Sequence, residues 1–120
     1  MGYYSRARNL HHTAREIVHK HNSVFPTSYQ EILKLKGIGP YTAAAISSFA
    51  YKLPHAVVDG NVIRVISRLY GIETAKDDPK TLTKIKNIVD KAILTTEPQL
   101  FNQSIRDYGA QHCTPALALC

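Results

Sequence analysis

Leu35-Lys36-Gly37-Ile38-Gly39-Pro40-Tyr41-Thr42-Ala43 decides how this chain folds. Two glycines one residue apart break a helix arriving from the N-terminal side, because they reach backbone conformations closed to other residues. Pro40 then suits the first turn of a new helix, where its missing N–H leaves no bond unmade. The stretch predicts helix, tight hairpin, helix. Upstream, Ser28 with Glu31 three residues later forms a capping-box pattern for a short helix reaching Leu35. Downstream, Ala43, Ala44, Ala45, Ile46, Phe49 and Ala50 place apolar residues on nearly every side of a helix over about residues 40–50. That pattern predicts a helix buried among its neighbours.

Further out, the chain stays helical. Tyr3, Ala7, Leu10, Ala14, Ile17 and Val18 recur every three or four residues, predicting an amphipathic helix over about 3–20. Val58-Asp59-Gly60-Asn61-Val62 opens another at Asp59 or Gly60, with Val62, Val65, Ile66, Leu69 and Tyr70 on one face and Gly71 as its stop. Asp77-Asp78-Pro79 starts a helix with Leu82, Ile85, Ile88, Val89, Ala92 and Ile93 inward. A last helix, about 98–111, aligns Phe101, Ile105, Tyr108 and His112. No segment alternates with period two, and nothing repeats. The expectation is one all-α domain of about six helices.

At 120 residues there is room for one core. The 44% apolar and 20% charged composition is that of a globular protein rather than a disordered one. No apolar run approaches the roughly 18 residues of a membrane span. Gly2-Tyr3-Tyr4-Ser5-Arg6-Ala7-Arg8 is too polar for an export signal, so a cytoplasmic, nucleoid-associated location is expected. The formal charge of +6 suits a polyanionic partner, although a basic surface that only solubilises gives the same number. Two cysteines, Cys113 and Cys120, do not make a disulfide scaffold. Among the six histidines, His11 and His12 are adjacent and His19 and His21 two apart. Neither pair has the i, i+4 spacing of a helical zinc site, and all are expected to face solvent.

The hairpin can hold an anion. Without Cβ atoms its amides can approach a phosphate, and the N-terminus of the next helix adds its positive end. Lys36 supplies a point charge beside it, and Ile38 packs inward. Such contacts position nucleic acid without reading its sequence. An ordinary αα-corner also accounts for Gly-Ile-Gly. Asp59 has two readings as well: a plain N-cap, or an acid set one helix away from a DNA-gripping hairpin.

Four stretches, Gly2 to Leu10, Leu35 to Ala43, Val58 to Val65 and Phe101 to Thr114, carry a resemblance over essentially the whole chain. In their order and spacing the chain resembles the helix-hairpin-helix DNA glycosylases, the superfamily that includes endonuclease III, and most closely their adenine-specific, MutY-type branch. The resemblance implies an incomplete endonuclease III-like helical core over 1–112, with the helix-hairpin-helix at 30–50 and the start of a truncated iron–sulfur loop at 113–120. It implies a fragment of a base-excision repair enzyme, a monofunctional N-glycosylase. Such an enzyme hydrolyses the N-glycosidic bond of adenine opposite 8-oxoguanine or guanine in double-stranded DNA.

Residue by residue, the resemblance makes Asp59 the stabiliser of the sugar oxocarbenium ion and gives Asn61 an orienting role. Tyr41 stands where lyase-competent relatives carry a lysine; it has no amine with which to form a Schiff base. Tyr3 corresponds to a residue that wedges into the base stack, a device suited to base flipping. Arg6, Arg8, Lys36, Gly37, Ile38, Gly39, Thr42 and Arg64 are the implied DNA contacts. Cys113 and Cys120 match the first two ligands of a C-x6-C-x2-C-x5-C motif for a [4Fe–4S] cluster. Four thiolates hold such a cluster, so no cofactor is expected on this chain alone. The family's general-acid glutamate precedes the Gly-Tyr-Tyr stretch, and Glu16 and Glu31 are out of place for that role. Two rival expectations stand beside this one: a non-catalytic duplex-binding module, and an endonuclease III-like glycosylase-lyase. Surfaces that a longer enzyme would bury also predict self-association.

Overall fold

A computed structural model describes residues 3–117, and their regular structure is six helices. They are α1 (Tyr3–Lys20), α2 (Tyr29–Leu33), α3 (Pro40–Tyr51), α4 (Gly60–Leu69), α5 (Pro79–Ile93) and α6 (Pro98–Gln111). None is long and apolar enough to cross a membrane. The start signals act as the sequence predicts. Ser28 accepts the Glu31 amide at 3.3 Å, Asp59 the Val62 amide at 2.9 Å and Asp78 the Lys80 amide at 2.9 Å. Helix α2 ends two residues earlier than expected, because Leu35 N–H bonds Ile32 O at 3.1 Å in a tighter final turn. Gly71, at φ +61°, closes α4.

The core lies where α4 and α5 meet α6: Val62, Ile66, Ile85, Val89 and Ile93 are buried, with Ala56 from the preceding segment and Phe101 and Ile105 packed against them. Helix α4 packs chiefly on α6, and α2 packs on α3, which in turn reaches α6. Helix α1 packs on none of the other helices. It is held at the hairpin instead, where buried Thr13 donates to Lys36 O at 2.9 Å and Asn9 lies against Gly37.

Three expectations about faces are corrected. Helix α3 is not enclosed: Ala43, Ala44, Ser47 and Ser48 face inward, while Tyr41 and Phe49 are exposed. Leu69 and Tyr70 leave the buried stripe of α4, both about 60% exposed. In α6 the buried residues are Asn102 and Gly109, whereas Tyr108 and His112 lie outside, their rings 5.5 Å apart. The apolar stripe of α1 is turned away from the body, with Tyr3 87%, Leu10 73% and Val18 53% exposed. Periodicity identifies the apolar side of a helix; it does not say whether anything lies opposite.

Candidate functional site

The two hairpin glycines do different work. Gly37 has φ +83°, and a Cβ there would lie 2.8 Å from Asn9 Cβ, so both backbone and packing require glycine. Gly39 is extended at φ −91°, ψ 179°, with nothing within 4 Å of where a Cβ would stand. Neither strain nor a protein neighbour demands glycine at 39; its effect is to leave the approach to the hairpin open. Helix α3 then begins with no side-chain cap, and its first intrahelical bond is Ala43 N–H to Gly39 O at 2.9 Å. Pro40 has no N–H, so the Tyr41 and Thr42 amides are the uncommitted donors of the first turn. Lys36 and Thr42 are exposed beside them, and Ile38 is half-buried, fixing the turn through its amide to Leu35 O at 3.2 Å. Open amides, a helix N-terminus and a lysine make an anion cradle.

Asp59 sits where α4 crosses α6. Its Oδ1 caps the helix by accepting the Val62 amide, and its Oδ2 accepts from Arg106 Nε at 3.1 Å. Asp59 is therefore an N-cap whose carboxylate also stays partly open to solvent, its side chain 18% accessible. The approach to it is fixed by Asn102, fully buried on α6. Asn102 Oδ1 accepts the Val57 amide at 3.0 Å, and its Nδ2 donates to His55 O at 3.0 Å. One side-chain amide thus takes the place of a neighbouring strand for the segment leading to Asp59. Close crossing of the helices depends on Gly109, where a Cβ would meet Asn61 Cβ at 3.0 Å and Asn61 O at 3.2 Å.

Asn61 and Arg64 stand one turn apart on α4, and the structure joins them: Arg64 Nη2 donates to Asn61 Oδ1 at 2.8 Å. The same guanidinium donates to Gly109 O at 2.6 Å and, through Nε, to Cys113 O at 2.6 Å. These donors tie α4 to the end of α6. Arg68, one turn on, fastens the following segment by donating to Thr114 O at 2.7 Å and Pro115 O at 3.2 Å. Asn102 and Arg106, which bond the segment before Asp59 and its Oδ2, are not singled out by the sequence. The signal for Asn102 was its register on the buried side of α6; a lone arginine on a half-exposed helix face gives no signal for Arg106.

Tyr41 opens onto a cleft of about 420 Å³ shared with Tyr29, His55, Val58 and Lys86. Val58 immediately precedes Asp59, so the tyrosine's cleft and the acid adjoin along the chain. His55 stacks on Tyr29, ring centroids 4.5 Å apart and nearly parallel. Burial holds the His55 imidazolium pKa below the usual 6.5, and the Lys86 charge lowers it further, against a smaller opposing effect of Asp90. His55, like His21 only partly exposed, departs from the expectation of solvent-facing histidines. Tyr3, Arg6 and Arg8 are exposed on the first turns of α1.

The cluster expectation has a simple test in the donor set. The chain has two cysteines, and four thiolates are needed. Cys113 is buried and disulfide-bonded, a state in which its sulfur is not a thiolate donor; Cys120 lies outside the described residues. Among the described residues no group of three His, Cys, Asp or Glu side chains is placed to hold a metal ion. The residues present do not fit a [4Fe–4S] cluster.

Residues 1–91 match the HhH-GPD superfamily base excision DNA repair protein family. All of the chain aligns with adenine DNA glycosylases: 41% identical to that of Buchnera aphidicola subsp. Baizongia pistaciae, covering 34% of it. The Schizosaccharomyces pombe protein is 37% identical with 26% of it covered, and the Homo sapiens protein 35% identical with 22% covered. The chain thus spans about a third or less of the length of each relative. A solved thermostable thymine-DNA glycosylase superposes with a TM-score of 0.82 at 28% identity, over 96% of this chain and 52% of the other.

Proposed function

Since the chain belongs to the HhH-GPD superfamily of base excision DNA repair proteins, we propose that it is the DNA-holding and sugar-facing part of an adenine DNA glycosylase. Its substrate is duplex DNA with adenine opposite 8-oxoguanine or guanine. The observation that carries this reading is Asp59, an acid with both oxygens anchored and one edge accessible, delivered by a segment that also borders the Tyr41 cleft.

The chemistry follows from charge. As the bond between C1′ and the adenine N9 lengthens, the electron pair leaves with the base and the sugar becomes oxocarbenium-like. A fixed carboxylate facing C1′ stabilises that cation more than the neutral substrate, which is the condition for lowering the barrier. Water then adds to C1′ and releases a proton, while the departing base takes one up. Tyr41 has no amine with which to attack C1′, so the step ends at hydrolysis and the strand stays intact. The Gly37-Ile38-Gly39 hairpin grips the backbone while Tyr3, Arg6 and Arg8 meet the duplex from α1.

The test is adenine release from a duplex carrying adenine opposite 8-oxoguanine, beside Asp59→Asn. Release abolished by the substitution supports the reading. Salt-sensitive duplex binding with no release at all would instead make this a DNA-holding module, the alternative favoured by the hairpin's open amides. A borohydride-trapped covalent adduct would point to lyase chemistry and overturn the assignment.

A further inference from the structure

We propose that Arg106 is a positioning residue for Asp59, a role that rests on the glycosylase reading above. An aspartate that only caps a helix commits one oxygen and can still rock about χ2, a broad torsion. Here the second oxygen is held by a residue 47 positions away on another helix: Oδ2 accepts from Arg106 Nε at 3.1 Å while Oδ1 accepts the Val62 amide at 2.9 Å. Two donors from two elements fix the carboxylate plane. Each oxygen keeps lone-pair capacity beyond one bond, and the 18% accessible edge presents it outward.

The other arginines in this junction act differently. Arg64 and Arg68 donate chiefly to backbone carbonyls and fasten the chain. Arg106 meets a carboxylate, and both partners are partly open to solvent. This single part-buried pair, its side chains 35% and 18% accessible, stands at the mouth of α4 rather than in the core, so holding the fold together is an incomplete account of it. Fixing the acid is a better one, because transition-state stabilisation depends on donors and charges arranged before the reaction. A guanidinium beside the acid also weakens the field felt by a developing cation. If field strength governed, removing Arg106 would speed base release; if orientation governs, it slows it. Anchoring of both oxygens points to orientation.

The experiment measures single-turnover adenine release from the adenine·8-oxoguanine duplex for the unsubstituted chain, Arg106→Met, Arg106→Lys, Asp59→Asn and the Met/Asn double variant. Arg106→Met is expected to slow release roughly tenfold with duplex affinity changed by less than about twofold. Arg106→Lys should recover part of the loss, and the double variant should match Asp59→Asn, because Arg106 acts only through Asp59. Release by Arg106→Met at or above the unsubstituted rate overturns the proposal, as does a double variant slower than Asp59→Asn. Thermal melts check that each variant is folded. The Arg106 Nε–H resonance gives a readout free of activity: it should be protected from solvent exchange in the unsubstituted chain and lose that protection in Asp59→Asn, and unchanged protection overturns the pairing. No release by the unsubstituted chain, with the resonance protected, would overturn the glycosylase reading and the positioning role with it while leaving the ion pair itself standing.

Discussion

The α4–α6 junction and the α2–α3 hairpin are built on opposite principles. At the junction, polar groups are paired inside the protein: Asn102 serves two backbone groups, Arg64 three acceptors, and Asp59 two donors. At the hairpin, the first-turn amides of α3 lack a cap, and Gly39 faces empty space. Buried polar groups without partners are costly, so the junction must satisfy its own. Exposed amides cost nothing in water and can be handed to a phosphate. One region satisfies its polar groups internally, and the other leaves its amides to solvent.

The largest effect expected on this contrast is at Asn102. Asn102→Ala leaves the Val57 amide and His55 carbonyl unpaired, each worth about 1–3 kcal/mol when buried. A loss of about 3 kcal/mol in urea unfolding is expected; a loss under about 1 kcal/mol would show that the segment before Asp59 does not depend on it. Next is Gly109→Ala, which forces α6 off Asn61. It should cost about 2 kcal/mol, read as a lowered thermal midpoint.

The hairpin glycines should separate stability from binding. Gly37→Ala must hold a side chain at positive φ against Asn9, so a loss of about 1 kcal/mol is expected, with α1 loosened in hydrogen exchange. Gly39→Ala should leave stability within about 0.5 kcal/mol and still weaken duplex binding, measured by fluorescence anisotropy. Equal binding by Gly39→Ala and the unsubstituted chain would remove the anion-cradle reading.

The smallest effect is that of His55. Its folded-state pKa is depressed, so on acidification the unfolded chain takes up its proton first, near pH 6.5. Stability from neutral His55 is full above that pH and falls as pH drops toward the folded pKa, after which it declines no further. Denaturation midpoints between pH 5 and 8 should show this slope, and His55→Gln should flatten it.

Much of this was legible from local chemistry. Ser28, Asp59 and Asp78 cap because a short acceptor before a helix meets amides in its own next turn. Pro40 and the glycines punctuate for equally local reasons. Asp59 and Tyr41 could be singled out as candidates, but the role of Arg64 could not, because its three acceptors lie on residues 61, 109 and 113. Arg106 was silent for the same reason. The apolar stripe of α1 was legible from its spacing, but not that it faces away from the body.

By itself, then, the sequence determined the helices, their starting caps, the hairpin and the acid at the mouth of α4, since each is decided within a few residues by backbone geometry and nearby donors and acceptors. Only the tertiary structure decided which faces are covered, that Asn102 anchors the approach to Asp59, and that Arg106 meets the acid. Those outcomes depend on side chains brought within about 3 Å across more than 40 positions of chain, and such a juxtaposition is set by how whole helices pack.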